Sequence, residues 1–126
     1  MKAFYSDLFE FPLPKGHRFP IQKYSLLRRR IIEDGIIPPE DLFIPKAATD
    51  DEILLVHLPD YLLKVNTGKL TDKEVRRLGL PWSPQLVERA KRSAGGTIEA
   101  CRAALYDGIA FNLSGGTHHA YADHAE

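Results

Sequence analysis

The sequence predicts a single α/β domain spanning residues 1–126, and three observations predict it. Short apolar runs of strand length alternate with amphipathic stretches of helical period, as strands and helices taken in turn would read. Hydrophobic residues make up 44% of the 126, enough for one core in a chain too short for two. Gly, Pro and capping residues stand where each run should end, and no repeat or low-complexity tract interrupts them.

Lys2 to Tyr5 reads as the first strand, followed by a loop broken by Pro and Gly at Phe11-Pro12-Leu13-Pro14-Lys15-Gly16. Phe4, Tyr5, Phe9 and Phe11 are expected to anchor core and loop. A helix is expected from about Pro20, because Ile21, Tyr24, Leu27 and Ile31 recur at three- and four-residue spacing and Gly35 suits a left-handed cap. Arg28-Arg29-Arg30 lies near its end, where the helix dipole favours cations; the run is isolated and reads as a solvated helix end rather than a nucleic-acid patch.

Leu42-Phe43-Ile44 reads as a second strand, stopped by Pro45 because proline cannot donate to a ladder. Thr49-Asp50-Asp51-Glu52 and Thr71-Asp72-Lys73-Glu74 both fit a capping box, and Pro59 to Val65 forms a short helix between them, closed by Asn66-Thr67-Gly68. The longest element is a helix from Ser83 or Pro84 to about Tyr106, with Val87, Ala90, Ala94, Ile98, Cys101 and Leu105 on one stripe and Gly108 at its end. Gly95-Gly96 in its middle cost about 1 kcal/mol each relative to Ala, so a close neighbour is expected there. Ile109 to Leu113 reads as a buried strand running into Ser114-Gly115-Gly116-Thr117-His118-His119, and α/β proteins place their sites at such strand ends.

Seventeen Lys+Arg balance seventeen Asp+Glu, so no net field draws the chain to nucleic acid or to an anionic membrane. Cys101 is the sole cysteine, which excludes an internal disulfide and a Cys-based zinc knuckle; it reads as a core residue rather than a nucleophile. No signal-peptide core opens the sequence and no window reaches membrane-span length, so a cytoplasmic protein is expected.

Two adjacent histidines after a buried strand are poorly explained by packing, since imidazole is costly to bury without partners. Gly115 and Gly116 would permit unusual backbone conformations and close approach of a ligand. The plainer reading puts both histidines, with His124, in an exposed polar turn. His17 and His57 suit local structural roles, and Trp82 either packs the helix entry or lines a substrate rim.

Gly115-Gly116-Thr117-His118-His119-Ala120, preceded by a hydrophobic strand and Ser114, resembles the Gly-Gly-x-His-His-Ala signature of the histone deacetylase and acetoin-utilisation branch of the arginase/deacetylase superfamily. Gly16-His17-Arg18-Phe19-Pro20 with Lys23-Tyr24 and Leu27-Arg28, His57-Leu58-Pro59-Asp60-Tyr61, Leu78 to Ser83, Gly95-Gly96-Thr97 and Asp107-Gly108 are similar to further segments of that family. The resemblance implies a partial arginase/deacetylase fold, a few-stranded parallel sheet with flanking helices. It implies amide hydrolysis of acetyl-lysine or another acetylated amine, with zinc as cofactor of the complete domain. His118 and His119 would then be the catalytic proton-transfer pair, Gly115, Gly116 and Thr117 the wall of a substrate tunnel, and Arg18 or Arg28 the arginine behind the site.

The family's zinc ligands, an Asp-x-His pair and a later Asp, have no counterpart here, and Asp123-His124 has the wrong spacing. The resemblance therefore implies the amino-terminal part of a deacetylase, with no metal site of its own and no activity alone. Without further strands beside Ile109–Leu113, the sheet edge and part of the long helix's stripe would be exposed and repaired by a homo-oligomer or a complementing fragment. The rival reading is a stand-alone, non-catalytic interaction or dimerisation module built on this half-fold.

Overall fold

The computed structural model describes residues 1–126. Its centre is strand β1 (Lys2–Phe4), flanked by β2 (Leu42–Phe43) and β3 (Ala110–Asn112) in the order β2-β1-β3, all parallel. Ala3 pairs with Leu42 and Phe111, so β1 is the one strand hydrogen-bonded on both sides. Parallel neighbours need crossovers. The first is α1 (Lys23–Glu33) with a short 3₁₀ turn (Pro39–Asp41); the second carries α2 (Asp50–Leu54), α3 (Pro59–Thr67), α4 (Asp72–Leu78) and α5 (Pro84–Asp107).

Successive strand residues point to opposite faces, and that alternation splits the core in two. Ala3 joins Ile31 and Ile37 on the α1 side, with Leu42 and Leu113 packed against them. Phe4 joins Ala100 and Ala103 of α5 on the other side, with Ala110 beside them. The sheet is thus a thin layer between α1 and α5.

Most predicted elements form where expected. Both capping boxes close reciprocally, with Thr49 and Thr71 accepting from the N3 amides while Glu52 and Glu74 accept from the cap amides. Gly35 (φ +63°) follows α1 in a Schellman motif: its N–H donates to the Ile32 carbonyl and that of Ile36 to the Ile31 carbonyl. Three details differ. Helix α1 starts at Lys23, because the Ile21 N–H bonds the Phe19 carbonyl in a tight turn that keeps Pro20 out of the helix. Arg29 and Arg30 are exposed at the helix end, but Arg28 is half-buried: its guanidinium forks onto the buried Asp7 carboxylate at 2.9 Å and covers the Tyr5 ring. Strand β3 is an edge strand with Phe111 exposed, rather than a buried one.

The stripe of α5 is the main correction. Gly95, Gly96, Ala100 and Ala103 are buried, whereas Ala90, Ala94, Cys101 and Leu105 are exposed; Cys101 is a free surface thiol, not a core residue. The close neighbour expected at the paired glycines explains why. A Cβ on Gly95 would lie 1.9 Å from the Lys46 carbonyl oxygen, and one on Gly96 3.0 Å from Asn112 Oδ1. Helix α5 approaches its neighbours through its smallest residues, which leaves the bulkier apolar ones on other faces.

Candidate active site

Beside the carboxyl end of β3 lies a cleft of about 340 Å³. Its walls are apolar side chains from four places: Phe11, Phe19 and Tyr24 near the amino terminus, Tyr61 and Val65 of α3, Leu78, Leu80 and Trp82 at and after the end of α4, and Leu86, Val87, Ala90 and Ala94 of α5. The upper half of the predicted α5 stripe therefore faces this cleft instead of the core. Gly115, Gly116, Thr117 and His118 close the remaining side.

A polar knot fixes how the chain leaves β3. Asn112 Nδ2 donates to the Ser93 carbonyl (2.8 Å) and to Thr97 Oγ1 (2.9 Å), and its Oδ1 accepts the Ser114 N–H (3.0 Å). The buried Ser114 hydroxyl accepts the Ser6 N–H at 3.0 Å, while the Ser93 hydroxyl donates to the Ser114 carbonyl. β1, β3 and α5 are tied together one residue before the Gly-rich turn. Sequence reasoning singled out neither Asn112 nor Ser93 nor Ser6, although an Asn amid Ile109-Ala110-Phe111-Asn112-Leu113 was a signal, since a half-buried amide needs partners.

The turn itself is neither strained nor crowded. Gly115 and Gly116 have no positive φ, and a Cβ on either would meet nothing within 4 Å. The expected unusual backbone is absent, while the expected room for a ligand is present.

His118 is half-buried in the cleft wall. A carbonyl only accepts, so His118 Nε2–H donates to the Leu78 carbonyl at 2.7 Å, and Nδ1 pairs with the Thr117 hydroxyl at 2.9 Å. Both ring nitrogens are occupied in this arrangement. His119 lies outside the cleft lining, exposed, its backbone paired with Glu126 in both directions (2.7 and 3.1 Å). The structure thus brings Gly115, Gly116, Thr117 and His118 to one cleft and sets His119 on the neighbouring surface.

The other histidines hold loops together. His17 donates from Nε2 to the Gly79 carbonyl and accepts the Phe19 N–H at Nδ1. His57 Nδ1 donates to the Tyr121 carbonyl at 2.8 Å, docking residues 119–126 against α3. Trp82 packs against the end of α3 and also lines the cleft: its indole N–H donates to the Val65 carbonyl and its ring lies on Gly68. Burial, and then Glu74, raise the Tyr61 phenol above its ordinary range and keep it protonated.

No three His, Cys, Asp or Glu side chains converge as metal ligands, and Asp123 and His124 bond each other at 2.6 Å. A zinc site takes about three protein ligands, so the residues of this chain do not by themselves fit the ion that the family resemblance implies. No helix is long and apolar enough to cross a membrane.

Comparison with known proteins agrees with the fold and gives the family. Residues 17–126 match the histone deacetylase domain. An uncharacterized protein of Picosynechococcus is 46% identical over 110 residues, covering 87% of this chain and 37% of that protein. The acetoin utilization protein AcuC of Staphylococcus aureus is 28% identical, covering 92% of this chain and 33% of the relative. The crystal structure of an HDAC homolog from Aquifex aeolicus superposes with a TM-score of 0.76 at 26% identity, over 99% of this chain and 36% of that one. The chain spans about a third of the length of the relatives it matches.

Proposed function

Since the chain belongs to the histone deacetylase domain family, we propose that it supplies the amino-terminal third of a zinc-dependent deacetylase that hydrolyses acetyl-lysine or another acetylated amine. The observation that carries this reading is the uncrowded Gly115-Gly116-Thr117-His118 wall of an apolar cleft at the end of β3. Amide hydrolysis needs a base for the attacking water and an acid for the departing amine, and an imidazole can serve as either. His118 and His119 are assigned these proton transfers. In that working state His118 Nε2 exchanges the Leu78 carbonyl for a reacting group. Gly115, Gly116 and Thr117 line the path of the acylated side chain. Zinc, with its ligands from the rest of the domain, supplies the Lewis acid when bound.

On this reading the chain alone neither retains zinc nor turns over, and the complementing portion comes from a longer polypeptide or a separate fragment in the cytoplasm. A second reading, a non-catalytic interaction module, is favoured by one observation: exposed apolar side chains, Leu105 and Tyr106 on α5 and Phe111 on β3, in a molecule whose β3 edge is unpaired. Acetate release from an acetyl-lysine peptide, measured with zinc for the chain alone and joined to the remaining domain, separates the two. Turnover is expected only in the joined protein, with His118→Ala and His119→Ala each reducing it by about 10²–10⁴. Stoichiometric zinc and turnover by the chain alone, or full activity without either imidazole, would sink the proposal.

A further inference from the structure

One cleft residue has no part in the chemistry above. Arg89 is buried, 6% exposed, and is the only Asp, Glu, Lys or Arg lining the cleft. Its guanidinium carries five N–H donors, of which the protein engages one, through Nη1 to the Phe9 carbonyl at 3.3 Å. The guanidinium also lies over the Tyr24 ring at 4.5 Å. No carboxylate pairs with it. Asp7 spends both oxygens on Arg28, and Glu10 is exposed. Burial pushes the Arg89 pKa down, the mark of a desolvated cation.

A buried cation without a counterion is costly to hold; one long hydrogen bond and the face of the Tyr24 ring offset only part of that cost, and an anion entering the cleft would offset the rest. Arg89 stands one turn of α5 before Ser93, whose hydroxyl bonds the Ser114 carbonyl at the mouth of the Gly-rich turn, so along the helix the two are about 6 Å apart. We propose that Arg89 is a carboxylate-binding residue, receiving through its free fork of N–H groups a small carboxylate whose carbon skeleton lies against the apolar walls of the cleft. Guanidinium and carboxylate match as paired donors and paired acceptors, which a spherical anion does not.

Two sources share that chemistry. One is the free short-chain acid released by hydrolysis; the other is the terminal carboxylate of a dicarboxylic acyl group still attached to its amine. The second fits the volume, because about 340 Å³ is far more than an acetyl group needs when a water occupies about 30 Å³. The choice of ligand rests on the hydrolytic reading, whereas the anion site does not.

The test is a titration of the chain with acetate, N-butylsuccinamate and neutral N-butylacetamide, followed by the Arg89 side-chain N–H resonances and by calorimetry, with chloride as ionic control. Saturable binding of a carboxylate is expected, with Arg89→Met weakening it about tenfold to a hundredfold and Arg89→Lys retaining part of it. Succinamate binding tightest assigns the acyl source; acetate binding equally well assigns the free acid. The proposal is overturned if neither carboxylate saturates, if chloride competes as well as they do, or if Arg89→Met binds like the parent. Should Arg89→Met fail to fold by circular dichroism, the parent's Arg89 resonances decide, since they must shift with carboxylate and stay still with N-butylacetamide. Failure of the deacetylase reading shows separately, as carboxylate binding without acetate release by the joined domain.

Discussion

Four glycines in this chain serve opposite ends, and single substitutions tell them apart. At Gly95 a methyl group would drive into the Lys46 carbonyl, backbone that cannot swing away, so Gly95→Ala should destabilise by about 3 kcal/mol or more. Gly115→Ala, with open space around its Cβ, should stay within about 0.5 kcal/mol in the same urea titration while narrowing the cleft. Equal stability of the two variants would refute the close approach of the Lys46–Ala48 segment to α5. Asn112 belongs to the same scale. Two of its hydrogen bonds tie β3 to α5 and the third holds the Ser114 amide, so Asn112→Ala should cost about 2 kcal/mol or more by leaving that amide without a partner and loosening the join.

Helix ends carry the next layer of stability, and α4 offers a clean measure of it. The Thr71 N–H reaches Glu74 Oε2 at 2.6 Å, and Lys64 Nζ reaches Oε1 at 3.0 Å. That amide bond first, and then Lys64, hold the Glu74 carboxyl down to about 2. Its folded pKa lies below the ordinary carboxylate value, so its stabilising contribution is complete above about pH 4.5 and fades as pH falls towards 2. Carboxyl carbon shifts of Glu74 should follow that midpoint, and a titration near 4.5 would show that the box does not close in solution. Thr71→Ala removes the other half of the box and should cost about 1 kcal/mol.

At the scale of the molecule, the feature with most consequence is how little is covered. Only 19 of 126 residues are buried, and the two small core clusters sit on opposite faces of a three-stranded sheet. Leu105 and Tyr106 of α5 are more than four-fifths exposed, and the outer edge of β3, which carries the exposed Phe111, is unpaired. Exposed apolar side chains and open N–H and C=O groups on one molecule both favour association. Sedimentation of the isolated chain should therefore show self-association that rises with concentration. Leu105→Lys with Tyr106→Lys should shift it towards monomer without loss of helicity. A monomer at all concentrations in the parent, with no binding of an apolar dye, would contradict this.

Local chemistry in the sequence was enough to set where most elements begin and end. The capping boxes at Thr49 and Thr71, the glycine after α1 and the paired glycines of α5 act over at most a few residues, so their meaning is written in the residues beside them. The family signature at Gly115–His119 was legible for the same reason. What tertiary structure alone decided is which face of α5 packs, that His118 rests on Leu78 forty positions away, and that Ser6 meets Ser114 across 108. Arg89 belongs to that second group: nothing near it in sequence marks it, and only the fold, which brings the Phe9 carbonyl and the Tyr24 ring onto it at the cleft wall, buries it without giving it a counterion.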